Sequence, residues 1–492
     1  MMGTPKREPA VTRPALLIAL AACWIAAAAA SAAPSPSQCR ARANDTRAKL
    51  LECIGGRSLW KHLAHFQKIA DANPDRDGHG NRDTGTPGYL ASVDYVARLM
   101  RGAGYRVTIQ PYEWKHFDIL GTPSFDIGGR AVEEGWSVVR LSGSGTLTAG
   151  VQAVAASGSG CAAQEFAGFV RGRVALLRRG PCEPDTQVAN AQDAGAGAVI
   201  FYGGEERGRR SDAVRLTESA GIPVLAVSHE LGAAREARID VQTQRKSDTD
   251  YNLIADSRFG DARHTVVVDG HLDSIYGAGM LDNASGSTTI LEIALALAHT
   301  KTHNRLRYIW FGGEELGLLG SHYYTKTLSA DDLRKIAFDI DVDVTATPNF
   351  DVLIADPAKA RNVDKFPPDV VPGSRIGNRA FTDYFRSAGI VSRVAGFGND
   401  GTDSNAFSLV GVPNSGILTQ QDCCKKRWET SLWGGFLGNY EGKVPGHNGG
   451  CVDNPHRWCD NLSNNDAFVF DFVSKAVAAV TLTLANDKSL RH

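Results

Sequence analysis

An excess of charge of either sign is what this 492-residue chain lacks most plainly: 53 lysines and arginines stand against 54 aspartates and glutamates, for a formal net charge of −1. No long basic run occurs beyond the first 33 residues, so the electrostatic footprint of a nucleic-acid binder is missing. No internal repeat or low-complexity tract stands out beyond those residues either, which argues against a repeat array. The apolar stretch Ala15 to Ala30 is shorter and more weakly hydrophobic than the ~20 residues a membrane span needs. What remains is an ordinary globular composition, 43% hydrophobic and 22% charged. The length suits about two or three packed domains.

The first residues read as a signal peptide, 1–32. Lys6, Arg7 and Arg13 form a basic n-region, Ala15 to Ala30 an apolar core, and Ala30-Ser31-Ala32 a small-residue cleavage site that leaves a mature chain starting near Ala33. The alternative is a lipoprotein processing box at Leu20-Ala21-Ala22-Cys23, although the apolar run continues through Trp24 and Ile25, where a lipoprotein usually turns polar. The expected location is secreted or periplasmic; the alternative is an envelope protein anchored through Cys23. Of nine cysteines, eight lie outside this segment, and an even number in an exported chain points to disulfides. Proximity favours Cys39 with Cys53, Cys161 with Cys182, and Cys451 with Cys459. Cys423 and Cys424 are adjacent, and a bridge between them would be strained.

The chemistry concentrates between Val266 and Tyr324. An apolar strand, Thr265 to Val268, runs into Gly270-His271-Leu272-Asp273. A second, Leu306 to Phe311, runs into Gly312-Gly313-Glu314-Glu315, and between them Gly279-Met280-Leu281-Asp282-Asn283 opens a helical stretch. In an open α/β sheet, reactive groups collect beyond the carboxyl ends of the strands. Carboxylates with an imidazole there suit zinc. Asp273, two residues after His271, can hold the second ring nitrogen of a metal-bound imidazole. Asp282 alone would read as a helix cap, and Asn283-Ala284-Ser285 forms a glycosylation triplet that its position makes a poor acceptor. Adjacent Glu314 and Glu315 point differently, so one can bind metal while the other faces water.

The ordered motifs GHLDS, DNASG and GEELGLLGS resemble the secreted zinc aminopeptidases with two co-catalytic metals, the bacterial leucyl aminopeptidase-like metallopeptidases. Asp341-Val342-Asp343 with Ala346 to Asn349 looks like that family's third ligand strand. Asn454 to Asn461 looks like its histidine loop, although Asn454-Pro455 stands where a cysteine and an aromatic residue are expected. Asn81 to Tyr105 resembles its opening helix. The resemblance implies two Zn2+ per chain, one held by His271, Asp282 and Asp343, the other by Asp282, Glu315 and His456. Asp282 bridges, and Glu314 is the general base. Asp339 and Asp341 compete with Asp343 on one strand face; His322 and His447 compete with His456; Asp403 is a further carboxylate candidate beside the site.

Composition shifts at Gly121 to about Gln244 towards glycine, alanine and short β-type runs, and this span looks like a protease-associated (PA) domain with no ligand cluster of its own. The expected organisation is a first peptidase lobe at 33–120, the PA insert at 121–247, and the zinc peptidase domain at 248–492. The expected fold is α/β, a mixed central sheet with helices on both faces (the zinc exopeptidase fold), plus a β-rich α+β insert. The expected substrates are peptide or protein N-termini, with no nucleic-acid partner and no membrane insertion apart from lipidation at Cys23. Thr419 to Gly450, with Cys423, Cys424, Trp428, Trp433, Phe436 and Tyr440, is expected to shape the substrate pocket. Another metallohydrolase of the same fold, a carboxypeptidase or glutaminyl cyclase, is the alternative, followed by a non-catalytic binding protein.

Overall fold

A computed structural model describes residues 34–75, 78–133, 135–154, 158–202, 214, 216–227, 236–396, 401–421, 423–441, 450–452 and 458–490. In chain order the strands of its two large sheets are β1 Arg106–Ile119, β2 Ser124–Ile127, β3 Arg130–Ala131, β4 Trp136–Val138, β5 Gly145–Ala153, β6 Val174–Arg178, β7 Ala198–Tyr202 and β8 Val224–Val227. They continue as β9 Glu236–Val241, β10 Thr243–Asp256, β11 Asp261–His271, β12 Asn304–Phe311, β13 Ile336–Val342, β14 Leu353–Ala355, β15 Arg393–Ala395 and β16 Asn414–Leu418.

The first sheet runs β1-β10-β12-β11-β13-β16-β14-β15. Its centre, β12-β11-β13-β16, is parallel, and antiparallel pairs lie outside it. Fully parallel strands must be covered on both faces, and the sequence alternates accordingly. Val266, Val268, Leu306, Tyr308 and Trp310 pack into a core shared with the helices Gly56–Ala72, Ala284–Leu297 and Ala467–Asn486. Val267, Ile309 and Phe311 point the other way, against Tyr324 of the helix Leu319–Thr327 and Phe407 of the helix Ser404–Leu409. Each fully buried large aliphatic side chain contributes about 1.5–3 kcal/mol. The helix Ala467–Asn486 is long and apolar enough to cross a membrane, yet 72% of its most apolar window is buried inside the protein. It is a core helix.

The second sheet runs β3-β2-β9-β5-β6-β7-β8-β4, and its strands fall between Ser124 and Val241. It joins the first through a two-stranded ribbon: β1 pairs with β10 along its whole length, from Arg106↔Asp256 to Ile119↔Thr243. From the sequence alone, only Arg106 to Gln110 reads as a strand here. It continues because its hydrogen-bond partner arrives more than a hundred residues later. Disulfides join Cys39 to Cys53, Cys161 to Cys182, Cys451 to Cys459, and the neighbours Cys423 and Cys424.

Candidate metal centre

β12 lies on one side of β11 and β13 on the other. The strand order therefore reverses about β11, and in open α/β sheets functional groups gather at the carboxyl ends of the strands at such a point. His271 is the last residue of β11, Glu314 and Glu315 lie on the turn after β12, and Asp343 directly follows β13. Asp282 reaches the same place from the loop that precedes the helix Ala284–Leu297. Two glycines let β12 end this way: a Cβ on Gly312 would collide with the Tyr89 hydroxyl, and Gly313 has φ +68°, in the left-handed region.

The side chains converge on one imidazole nitrogen. His271 Nε2 lies 3.0 Å from Asp282 Oδ1, 3.4 Å from Asp343 Oδ1 and 4.0 Å from Glu314 Oε2. Donor atoms of His271, Asp282 and Asp343 lie within 4.8 Å of one another, as do those of His271, Glu314 and Glu315. All five residues are no more than 9% exposed. On the other ring edge, Nδ1 sits 3.2 Å from the Asp273 carbonyl and 3.5 Å from its Oδ1. The Asp273 carboxylate also accepts the backbone N–H groups of Glu314 (3.3 Å) and Glu315 (3.4 Å). One fully buried carboxylate thus touches the ends of two strands.

Burial alone would push the His271 imidazole down, but Glu314, Asp273, Asp282 and Asp343 reverse this and hold it well above its usual range. Burial raises Asp282, with Asp343 adding and His271 and Gln421 opposing. Burial also drives the Glu314 carboxyl well above its ordinary value, against the pull of His271 and with help from Asp403, Asp343 and Asp282. Among the described residues, no lysine or arginine lies within ion-pair distance of Asp282 or Glu314. Four carboxylates around one imidazole, shielded from water, form a donor set that fits divalent cations such as zinc.

The remaining candidates separate. Asp339 and Asp341 are fully buried on β13, and Asp341 Oδ2 accepts the Thr402 hydroxyl (2.6 Å) and the Ser404 N–H (3.0 Å). Asp343 is the member of that strand face that reaches His271. Asp403, 1% exposed, lies beside Asp341, and burial followed by that neighbour drives its carboxyl well up. His322 sits half-buried on the helix Leu319–Thr327. His456 and His447 lie outside the described residues, as do Cys23 and Ala30 to Ala32. Asn283 is completely buried: its Oδ1 accepts from Gly286 and Val344 N–H, and its Nδ2 donates to the Val342 carbonyl. That leaves no room for a glycan. In the segment Thr419 to Gly450, expected to shape the substrate pocket, Trp428 and Phe436 are exposed and Tyr440 is buried.

Comparison with known proteins now bears on this geometry. Residues 252–481 match the model of peptidase family M28, and residues 144–234 match the PA domain. A protein of Pseudomonas aeruginosa described as an aminopeptidase is 31% identical over 459 residues, covering 89% of this chain and 82% of that protein. The chain belongs to peptidase family M28. It carries the family's peptidase fold with an inserted PA domain. Another relative, described as a probable lipoprotein aminopeptidase, comes from Mycobacterium tuberculosis; it is 29% identical, with 79% of each chain covered. Among solved structures, an aminopeptidase from Aneurinibacillus sp. strain AM-1 superposes with a TM-score of 0.68 at 20% identity, covering 90% of this chain and 97% of that one. A zinc aminopeptidase from Bacillus subtilis does so at 0.62 and 20%, covering 88% and 96%. At these identities the superpositions speak for the M28 fold.

Three residues around the centre escape the sequence reading. Arg82, fully buried, donates to the carbonyls of Leu272, Ala278 and Gly279. Thr84 donates to Asp273, and Asp460 accepts the N–H groups of Leu281 and Asp282. Arg82 and Thr84 lie inside the Asn81 to Tyr105 run, and Asp460 follows Cys459. Their partners are more than 170 residues away, so no local pattern marks them.

Proposed function

We propose that this M28 chain is an exported zinc aminopeptidase that removes N-terminal residues from peptides. The observation that carries the reading is the buried convergence of His271, Asp282, Asp343, Glu314 and Glu315 at the ends of three adjacent parallel strands. His271, Asp282 and Asp343 would hold one zinc ion, and Asp282, Glu315 and His456 a second. Zinc, when bound, supplies Lewis-acid chemistry, acidifying water and polarising a carbonyl. Glu314, buried in the centre with Oε2 4.0 Å from His271 Nε2, takes the proton of the attacking water and returns it to the leaving amine. Asp273 holds the His271 ring and the Glu314–Glu315 backbone in register.

The names carried by the relatives, an aminopeptidase and a probable lipoprotein aminopeptidase, support the reaction and an envelope or extracellular site. Cleavage near Ala33 is the proposed route, with lipidation at Cys23 the alternative. The proposed division is 33–120 and 248–492 for the peptidase and 121–247 for the PA domain. The deciding experiment offers one set of peptides with free and with acetylated α-amines. Release of N-terminal residues from the free peptides alone supports the proposal; equal cleavage of both excludes aminopeptidase action.

A further inference from the structure

Asp273 joins the two halves of the centre, so whatever fixes Asp273 fixes their spacing. Its fully buried carboxylate meets four donors: His271 Nδ1 at 3.5 Å, Glu314 N at 3.3 Å, Glu315 N at 3.4 Å and Thr84 Oγ1 at 2.9 Å. The first three are long for N–H···O contacts, whereas the hydroxyl is near the ordinary O–H···O distance. We infer that Thr84 is a positioning residue of the metal centre, acting through Asp273; the inference rests on the metallopeptidase reading above.

The hydroxyl is presented on a rigid strip. Thr84 is 6% exposed and follows Arg82, whose guanidinium is completely buried. Arg82 donates through Nε to Ala278 O (2.8 Å), through Nη1 to Leu272 O (2.7 Å) and through Nη2 to Gly279 O (2.7 Å). Those carbonyls flank Asp273: Leu272 directly precedes it, and Ala278 and Gly279 lie on the loop that leads from it to Asp282. The backbone of the strip is pinned on both sides of Thr84. Arg82 exchanges hydrogen bonds with Ser274, and the Gly85 N–H donates to Asp250 Oδ2 at 2.7 Å. Thr84 therefore cannot follow Asp273 if the carboxylate rotates; it holds Oδ2 in place.

Without the hydroxyl, Oδ2 keeps one long amide contact, from Glu315. In a water-excluded site an under-satisfied carboxylate reorients towards other donors. The His271 ring and the Glu314–Glu315 turn would then lose their common reference. Loss of a partner one shell outside metal ligands typically costs 10–100-fold in metal affinity or activity. Thr84 stands one contact further out, which sets the expectation at the low end.

The test uses zinc-loaded full-length protein and compares Thr84→Val, which keeps the shape and removes the hydroxyl, with Thr84→Ser, which keeps the hydroxyl. Two readouts are kcat/KM on an unblocked aminoacyl chromogenic substrate and the rate of zinc loss to a chelator. Thr84→Val is expected to lower kcat/KM about tenfold, mainly through kcat, and to speed zinc loss, with Thr84→Ser close to wild type. On an Asp273→Ala background the same Thr84→Val change should have no further effect on zinc loss, because both oxygens that the hydroxyl could reach are already gone. Thr84→Val behaving as wild type, Thr84→Ser failing equally, or full additivity with Asp273→Ala would each overturn the inference. A wild-type protein without zinc-dependent hydrolysis would sink the metallopeptidase reading and this inference with it. An active wild type with an unaffected Thr84→Val variant would sink the inference alone.

Discussion

Asp460 Oδ2 accepts the backbone N–H of Asp282 at 3.0 Å across 178 residues of sequence. Its other oxygen takes the N–H of Leu281 at 2.7 Å and the Asn464 amide at 3.2 Å. A cis peptide follows, joining Asp282 to Asn283. The last segment of the chain thus grips the backbone beside the proposed bridging carboxylate, next to the Cys451–Cys459 disulfide.

Asp460→Asn should weaken that grip. The amide keeps one acceptor and turns a donor towards one of the two N–H groups, leaving it unpaired in a buried place. The expected outcome is a fall of about 10-fold or more in kcat/KM with the fold retained. Steady-state kinetics beside circular dichroism checks it; unchanged kinetics would show that Asp282 is held by other means.

Glu314→Gln keeps the size of the side chain and removes its basicity. Zinc content should stay near two ions per chain by elemental analysis. Turnover should drop on the order of 10²–10⁴-fold. A variant that loses zinc as well would reassign Glu314 from base to ligand, and near-wild-type turnover would refute the mechanism.

Stability should respond to pH through Asp250. Its carboxyl is pushed up to about 7, by burial first, against the hydrogen bonds from Gly85 and Tyr251. The folded state therefore binds this proton more tightly than the unfolded chain. The contribution is fully present at low pH and is lost as pH rises from about 4 to about 7. Asp250→Asn removes this titration. The stability difference, wild type minus Asp250→Asn, should fall between pH 4 and pH 8 in denaturant unfolding. A difference that stays flat would mean that Asp250 is already ionised at low pH.

The local code carried far for the centre itself. β11 and β12 are legible because apolar runs end at glycines followed by ligand-type side chains, a pattern that depends only on neighbours. The contest between Asp339, Asp341 and Asp343 was less legible. All three share one strand face, and only the position of β13 beside β11 brings Asp343 to His271 while Thr402 and Ser404 take Asp341.

The sequence by itself determined the types of the candidate ligands, the strand ends that carry them and the insertion of a second module, because periodicity and turn chemistry are short-range properties. The tertiary structure decided what holds those side chains still. Thr84, Arg82, Asp250 and Asp460 act on backbone and carboxylate atoms 165 to 197 residues away. The full length of β1 likewise waits on β10. The physical reason is common to both: a buried hydrogen bond is defined by where two distant segments meet, and one-dimensional order places no constraint on that meeting until the sheet has formed.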